Sequence, residues 1–225
     1  MAYNLQQLRD YIRLHLDLDA EEIPNTMLDF WARDASIKIS RTRKRWPFFE
    51  TSWTLVTTPN ERDYPLTTSF DPVPDEITSI VRDDRRLRYL GRDEAEAAYL
   101  PYQIDTGFVT YFNVWNNTLR LYPKPTFADT LHVRGYRKVN DWVADGSGAE
   151  PDFPEEFHDA IRMYMLAQAY LQQEDPEMFQ QFMSSFDAEM RLLAKQYGDT
   201  PGPYPLVLGG GPTIRQPNRL HYPFD

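Results

Sequence analysis

The chain has 225 residues, of which 41% are hydrophobic and 14% aromatic, so it can bury a sizeable core and falls in the globular class. It contains no cysteine, which excludes disulfides and thiolate sites and suits a reducing compartment. The formal net charge of -10 excludes a general electrostatic attraction to nucleic acid or anionic lipid. No apolar run reaches the roughly 18 residues of a membrane span and no secretory signal opens the chain, so we expect a soluble, cytoplasmically made protein.

Two helices are predicted at the start of the chain. Asn4 and Gln7 form a capping box, and a helix then runs to about Asp17 with one apolar face made by Leu5, Leu8, Ile12 and Leu16. A second helix begins near Pro24 and Asn25 and must end before Pro47. Its predicted buried stripe consists of Leu28, Trp31, Ala35 and Ile39.

Between residues 47 and 151 the apolar period becomes two, which predicts an antiparallel β module. The clearest hairpin has Asn116 and Asn117 in its turn, because asparagine tolerates the positive φ that a tight turn requires. Its strands are predicted over 108–115 and 118–122.

Two further hairpins are predicted where turn residues separate short alternating runs: 52–57 with 63–66 around Pro59 and Asn60, and 76–82 with 86–90 around Asp83 and Asp84. Leu131 and Val133 indicate another strand. A run of strong helix formers behind Asp93 predicts a short helix that ends at Tyr99.

Helices return after a Gly-rich, acidic linker at 145–152. Pro154 suits a first helical position, and a buried stripe is expected at Phe157, Ile161, Tyr164 and Leu171. Asp175 and Pro176 begin a last helix, which ends at Gly198 and has its apolar face at Phe179, Phe182, Met183, Phe186, Met190, Leu193 and Tyr197.

Neither helical pair alone can bury a two-sided core, so the four main helices are predicted to form one bundle. The fold class is therefore α+β: a four-helix bundle with an inserted antiparallel β module and an extended C-terminal arm. The predicted parts are 1–46 and 152–198 for the two halves of the bundle, 47–151 for the insertion and 199–225 for the arm.

The arm differs from the rest of the chain in composition. It has six prolines and a triple glycine at 209–211, which exclude a helix and a central strand. It also carries more apolar side chains than a spacer exposes, which indicates a partner-binding segment. The candidate anchors are Tyr204, Leu206, Leu208, Ile214, Leu220, Tyr222 and Phe224.

The sequence offers little catalytic or metal chemistry. Glu155, His158 and Asp159 have the spacing of a carboxylate-bridged metal box, but the second Glu-x-x-His that such a box needs is absent, so a charged first helical turn is expected. An alternation of acids at Asp17, Asp19 and Glu21 resembles the start of a calcium loop but lacks its glycine and its bidentate glutamate. The four histidines are dispersed. We therefore expect no catalytic residues and no cofactor, although a dispersed triad stays open.

A basic run closes the second helix, where cations favourably oppose the helix dipole. The alternative is a contact patch for an acidic protein or for passing DNA, made by Lys38, Arg41, Arg43, Lys44 and Arg45.

Several segments together resemble the head-to-tail adaptor, or connector, family of tailed bacteriophages, and within it the tail tubular protein A type of short-tailed phages. They are "DLDAEEIPNTMLDFW" after the first helix, "RWPFFETSWTL", "LYPKP" at 121–125 and "PDFPEEFHDAIRMYMLAQAYLQQED". The resemblance spans about residues 1–198 and carries no catalytic signature.

The resemblance implies a structural virion protein at the head-to-tail junction, made in the host cytoplasm. It implies a ring, typically of twelve subunits, that binds the portal protein above and a tail nozzle or tail tube protein below. Genomic DNA would pass through the lumen without sequence-specific binding, for genome retention and ejection. No membrane partner, enzyme activity or cofactor is implied.

Two other functions stay open at the level of sequence. A glycan-binding or glycan-cleaving virion module would use the aromatic residues of the β insertion, namely Trp53, Tyr89, Tyr111, Trp115 and Tyr122. A nucleic-acid-binding regulator would use the basic run at 38–45, but the net charge opposes it.

Overall fold

The computed structural model describes residues 2–43, 45–91, 93–94 and 106–197. The helices in these ranges are α1 (Leu5–Leu16), α2 (Asn25–Thr42), the one-turn α3 (Leu66–Ser69), α4 (His158–Gln172) and α5 (Pro176–Gln196). The strands are β1 (Glu50–Val56), β2 (Asp63–Pro65), β3 (Pro74–Arg82), β4 (Arg85–Arg86), β5 (Arg88–Tyr89), β6 (Thr106–Gly107), β7 (Tyr111–Trp115), β8 (Thr118–Tyr122), β9 (Lys124–Pro125) and β10 (Thr130–Arg137). The predicted α+β class is confirmed.

The ends of the long helices follow local sequence signals. The Asn4 side chain accepts a hydrogen bond from the Gln7 amide at 2.8 Å, and the Gln7 side chain accepts one from the Asn4 amide at 3.0 Å, so the predicted capping box is confirmed. Asp17 ends α1 in a left-handed conformation with φ of 56°. Asp175 caps α5 by accepting from the amide of Met178, with Pro176 in the first turn as predicted.

The four long helices share one hydrophobic cluster. The predicted stripe of α2 is buried at Leu28, Trp31, Ala35 and Ile39, and Leu5, Leu8 and Ile12 of α1 are fully buried. Residues from the predicted insertion also enter this cluster, among them Phe49, Trp142 and Val143. The two ends of the chain therefore depend on each other for burial of their apolar faces.

The last two helices differ from the prediction in part. Leu171 was expected in the buried stripe of α4 but is 50% exposed, because it lies in the final turn of that helix. On α5 only Phe186, Met190 and Leu193 are buried, whereas the remaining stripe residues that were predicted, Phe179, Phe182, Met183 and Tyr197, are half-buried. The expected end of α5 at Gly198 lies outside the described residues.

Two sheets of four strands form the β module around a second hydrophobic cluster. The first has the order β1-β10-β3-β4 and is antiparallel throughout. The second has the order β2-β8-β7-β5, in which β5 runs parallel to β7. A small parallel pair, β6 with β9, adds a further exception to the predicted antiparallel module. Ile80, Leu131 and Val133 of the first sheet meet Leu119 and Leu121 of the second in the shared cluster.

The predicted hairpin at Asn116 and Asn117 is confirmed. Both residues have positive φ, 51° and 54°, and β7 pairs with β8 from Trp115↔Thr118 to Tyr111↔Tyr122. The tolerance of asparagine for this conformation is what made the turn readable from the sequence.

The hairpin predicted around Pro59 and Asn60 is wrong, although strands occupy both of its arms. β1 pairs with β10 over seven residues, from Glu50↔Tyr136 to Val56↔Thr130, whereas β2 pairs with β8 in the other sheet. The turn therefore carries the chain from one sheet to the other. Partner choice between strands far apart in sequence is decided by tertiary packing, which a local pattern does not contain.

The turn predicted around Asp83 and Asp84 is present, with φ of 50° at Asp83, but the hairpin is short. β3 pairs with β4 only at Val81↔Arg86 and Arg82↔Arg85, and the next residues cross to the second sheet as β5. The helix expected up to Tyr99 falls mostly outside the described residues, which include only its first two, Asp93 and Glu94, both helical.

The buried aromatic contact on α5 gives a direct test of the helical core. Phe186 is buried against the ring of Tyr164 at 5.4 Å between centroids, so Phe186→Ala should lower the free energy of unfolding by about 3–5 kcal/mol. Leu192→Ala on the same helix is the control, because Leu192 is 63% exposed and its truncation should change stability by less than about 0.5 kcal/mol. Equal midpoints of chemical denaturation for the two variants would contradict this description of the core.

Candidate protein-interaction surfaces

The residues that resembled metal sites have structural roles. The Nδ1 atom of buried His158 accepts a hydrogen bond from the Tyr3 amide at 3.0 Å, and its Nε2 atom lies 3.1 Å from the carbonyl oxygen of Phe153. Asp159 pairs with Arg162 at 2.9 Å. Both imidazole nitrogens are thus engaged within the protein. Among the described residues, no group of three or more potential ligands converges on a metal position.

The acidic segment after α1 forms a closed local turn. Asp19 accepts hydrogen bonds from the amides of Glu21 and Glu22 at 2.7 and 3.0 Å, and the Glu22 carboxylate accepts one from the Asp19 amide. The Asp19 carboxylate therefore accepts hydrogen bonds from nearby backbone amides, as in an Asx turn.

The basic run at the end of α2 is divided between different contacts. Lys38 lies over the ring of Tyr164 at 4.9 Å, while Arg43 donates to the carbonyl oxygen of Tyr197 at 2.6 Å. Arg45 donates to both carboxylate oxygens of Glu76 at 2.6 and 3.1 Å. Arg41 is exposed and makes no hydrogen bond or ion pair with the part of the chain that the structure describes, and Lys44 lies outside that part.

Arg43 and Arg45 connect elements that are distant in sequence. Arg43 ties the end of α2 to the end of α5, and Arg45 ties the same segment to β3 of the sheet. Hydrogen bonding and attraction to Glu76 raise the pKa of Arg45, which keeps its charge fixed on that carboxylate. These two cations therefore act first as links within the protein. Their sequence neighbours Lys38 and Arg41 are the members of the run that lie exposed on α2.

Aromatic packing surrounds the same junction. The ring of buried Trp46 contacts those of Phe48 and Phe157 at 5.4 and 5.3 Å, and its Nε1 donates to the Ile39 carbonyl at 3.1 Å. Phe157 in turn contacts Tyr197 at 5.4 Å. The sequence analysis used "RWPFFETSWTL" only for the family resemblance and missed this cluster, although the aromatic density of the segment was the available signal.

Exposed apolar side chains lie close together at two places in the described ranges and singly elsewhere. On α2, Phe30 is 64% exposed and Ile37 follows two turns later on the same face, beside a cavity of about 240 Å³ lined by Val139 and Trp142. In the β module, exposed Phe108 and Phe127 pack edge to face at 5.3 Å. The other helices expose Leu14, Leu171 and Leu192. Clustered exposed apolar groups mark interaction sites more often than isolated ones do.

A groove of about 980 Å³ lies between the two sheets on the side of the helical core. Its apolar lining comes from both sheets and includes Leu66, Ile77, Phe112 and Val114, of which Ile77 and Val114 are only half-buried. Its polar rim is formed by Arg43, Arg45, Glu50, Asp75, Glu76 and Arg86. Sequence reasoning did not find this groove, because its lining combines residues of both sheets that are distant in sequence.

The predicted anchors of the C-terminal arm, Tyr204 to Phe224, lie outside the described residues. The described chain ends at Tyr197, whose carbonyl oxygen is held by Arg43 at the rim of the groove. The last described residue therefore lies close to this concavity.

The aromatic residues proposed for glycan contact do not form one platform. Trp53 and Tyr122 are buried, and the Trp53 indole donates to the carbonyl of Pro72 at 2.7 Å. Tyr89 is exposed and packs on Phe112, whereas Trp115 lies under the guanidinium of Arg120. Two of the five residues are thus core side chains, and nothing in this arrangement favours a glycan site.

A scan against protein-family models matches residues 3–206 to the SU10 adaptor protein family. The chain belongs to the SU10 adaptor protein family. The match covers both helical segments, the whole β module and the first residues of the arm, and it confirms the resemblance to head-to-tail adaptors of phages that the sequence showed. The finer resemblance to the tail tubular protein A type stays a prediction. The comparison with curated proteins found no match.

Membership of an adaptor family indicates a structural role in a phage virion. It also agrees with the surfaces above, because an adaptor acts through protein contacts. In the described ranges, no helix has the length and apolar character to cross a bilayer.

The environment of His158 predicts a pH dependence of folding. Burial lowers the pKa of His158, so the neutral ring is the form that the folded state holds. Its stabilisation is fully present above the unfolded pKa of about 6.5 and is lost as the pH falls, because the unfolded chain binds the proton more tightly. We expect the unfolding free energy to fall below about pH 6.5 more steeply in the wild type than in His158→Gln.

The control is His132→Gln, which changes an exposed histidine on β10 and should leave the wild-type pH profile intact. Chemical denaturation between about pH 5 and pH 8 measures all three proteins, a window that contains the pKa of free histidine. Parallel profiles for the wild type and His158→Gln would contradict the role given to this ring.

Proposed function

We propose that the protein forms a dodecameric ring that joins the portal to the tail and continues the DNA channel for genome retention and ejection. The observation that carries the proposal is the SU10 adaptor family match over residues 3–206, which covers every described element. In this proposal the portal lies above the ring and a tail nozzle or tail tube protein below it.

The exposed surfaces support assembly into a ring. A closed ring of identical subunits needs two different faces on each protomer, which meet heterologously around the symmetry axis. The α2 face with Phe30 and Ile37 and the β-module face with Phe108 and Phe127 are apolar surfaces on different parts of one protomer. We propose that the four long helices act as one bundle that presents the first of these faces.

The charge distribution supports passage of DNA without retention. The net charge of -10 opposes binding to phosphate, and a lumen lined by carboxylates repels the backbone of the genome. Arg43 binds the Tyr197 carbonyl and Arg45 binds the Glu76 carboxylate. The basic run therefore contributes less positive potential at the surface than its five cations would if none were engaged. The exposed Lys38 and Arg41 are proposed to contact an acidic protein partner.

The C-terminal arm is proposed as the attachment device. Its prolines limit the conformational freedom that is lost on binding, and its apolar residues supply anchors. Burial of half of one large aromatic side chain contributes about 2–3 kcal/mol, and arms from a whole ring act multivalently. The proposed anchors are Tyr204, Leu206, Leu208, Ile214, Leu220, Tyr222 and Phe224.

Assembly of the ring is tested by mass. We expect the purified protein to be largely monomeric in dilute solution and to form a ring when portal is added, because its apolar faces need a complementary template. Mass photometry of the protein alone and with portal measures both states. A preformed ring would overturn the order of assembly, and a monomer that stays monomeric on portal would overturn the adaptor function.

Truncation after Gly198 tests the arm separately from the fold. The shortened protein should keep a Tm close to that of the full chain, because the described cores lie before residue 198. It should lose stable association with portal, as measured by co-sedimentation. Undiminished portal binding by the truncated protein would show that a helical face, and not the arm, provides the attachment.

A further inference from the structure

One face of the sheet β1-β10-β3-β4 is open to solvent. Trp53 and Leu55 of β1 and Val133 of β10 lie in the β core, so the alternate residues of these strands lie on the opposite, outer face. Antiparallel partners share a face, and the register therefore places one residue of each strand in a central row across the sheet. That row consists of Thr54, His132, Val81 and Arg86.

Two shorter rows flank the central one. Ser52 pairs with Arg134, which pairs with Ser79 on the other side. Val56 pairs with Thr130 at the opposite end of β1. The three rows together cover about 14 Å along the strands and about 14 Å across them.

This outer face carries no carboxylate in its three rows. Its nine residues are two arginines, one histidine, four hydroxyl-bearing residues and two valines, in a chain whose net charge is -10. Carboxylates begin only past its two ends, at Glu50 and in the turn that contains Asp83 and Asp84. The outer face is therefore a patch of hydrogen-bond donors on an acidic protein.

These donors are available to a ligand. The exposed side chains of Ser52, Thr54 and Arg134 make no hydrogen bond or ion pair with the residues that the structure describes. Arg86 donates to the carbonyl oxygen of Thr78 at 3.2 Å and keeps further guanidinium donors beyond that bond. Arginine and hydroxyl side chains are among the groups that proteins use to contact phosphate oxygens.

We propose that the outer face contacts the phosphate backbone of double-stranded DNA without reading its sequence. The inference rests on the proposed function, because the DNA in the channel of the ring is the polyanion and the outer face is the part of each subunit that meets it. Ring symmetry repeats the face once in each subunit, so the contacts form one band around the duplex. Carboxylates elsewhere on the lumen keep the DNA from binding along the rest of the channel.

The composition of the face favours DNA over an acidic protein as the ligand. Protein interfaces gain most of their binding energy from a few well-buried anchors, among which aromatic side chains are prominent. The outer face offers only Val56 and Val81 as apolar groups, whereas the exposed Phe30, Phe108 and Phe127 lie outside it. Protein–DNA interfaces are more polar and more positively charged than protein–protein interfaces, and the outer face shares both properties.

The net negative charge of the chain is compatible with a local contact. At an ionic strength of about 0.15 M, exposed charges more than about 8 Å apart are largely screened from each other. A phosphate beside Arg86 or Arg134 therefore responds mainly to the charges of the outer face and of its ends. We expect a weak contact that depends strongly on salt.

The salt dependence of DNA binding tests the proposal. Each phosphate contact contributes about 0.9 to the slope of log K against log salt, so the full-length double variant Arg86→Gln, Arg134→Gln should lose about 1.8 of the wild-type slope. The control double variant Arg191→Gln, Lys195→Gln removes the same charge from exposed positions of α5 and should keep the wild-type slope. Fluorescence anisotropy of a labelled duplex between about 20 and 150 mM salt measures all three proteins.

A second pair of variants leaves both arginines in place. Thr54→Glu adds a carboxylate to the central row and should weaken DNA binding about fivefold at low salt, because two like charges about 4 Å apart repel each other even in water. Thr67→Glu makes the same change at an exposed position of α3, outside the outer face, and should leave the affinity unchanged.

Equal slopes for the two double variants, or no binding of DNA by the wild type at about 20 mM salt, would overturn the assignment of the outer face. A poly-glutamate peptide that binds the wild type but not Arg86→Gln, Arg134→Gln would assign the face to an acidic protein instead. Association with portal is measured separately by mass photometry. Its failure would overturn the proposed ring, whereas a wild type that assembles on portal and shows equal slopes would overturn this inference alone.

Discussion

The packing of Trp46 against Phe157 is the contact on which the rest of the molecule depends. It joins the end of α2 to the start of α4, which are separated in sequence by the whole β module. Phe48 and Tyr197 complete the aromatic cluster, and Arg43 and Arg45 enclose it by binding the end of α5 and the edge of β3. The helices from both ends of the chain thereby form one core. The segment that contains all the described strands begins next to Trp46 and ends next to Phe157.

This closure explains where the interaction surfaces lie. The helical and β clusters each bury their own apolar residues. Among the apolar side chains that stay exposed, Phe30 and Ile37 share one face of α2 and Phe108 packs on Phe127 in the β module. The basic run was a candidate patch in the sequence, yet two of its cations serve the junction itself. Surfaces for partners are therefore largely apolar, which agrees with an adaptor that works through protein contacts.

Prediction from sequence worked best where the signal was local. The capping box of Asn4, the end of α1 at Asp17 and the Asn116–Asn117 turn each depend on residues within a few positions of one another. The prediction for Leu171 failed because helical periodicity does not state which residues of a turn are covered, and in the last turn of α4 it is Tyr170 that packs against His15 and Phe182. The loop at 145–152 was read as a linker, but the carbonyls of Ser147 and Ala149 accept hydrogen bonds from the first turn of α1.

The sequence by itself determined the helical and strand periods, the turns that need positive φ, the absence of thiol chemistry and the family to which the chain belongs. Only the tertiary structure decided that β1 pairs with β10, that Arg43 and Arg45 bind groups of distant elements and that a groove opens near the last described residue, Tyr197. The physical reason is the range of the interactions. Capping and turn preferences are fixed by neighbouring backbone geometry, whereas strand partners and ion pairs depend on which distant surfaces exclude water together.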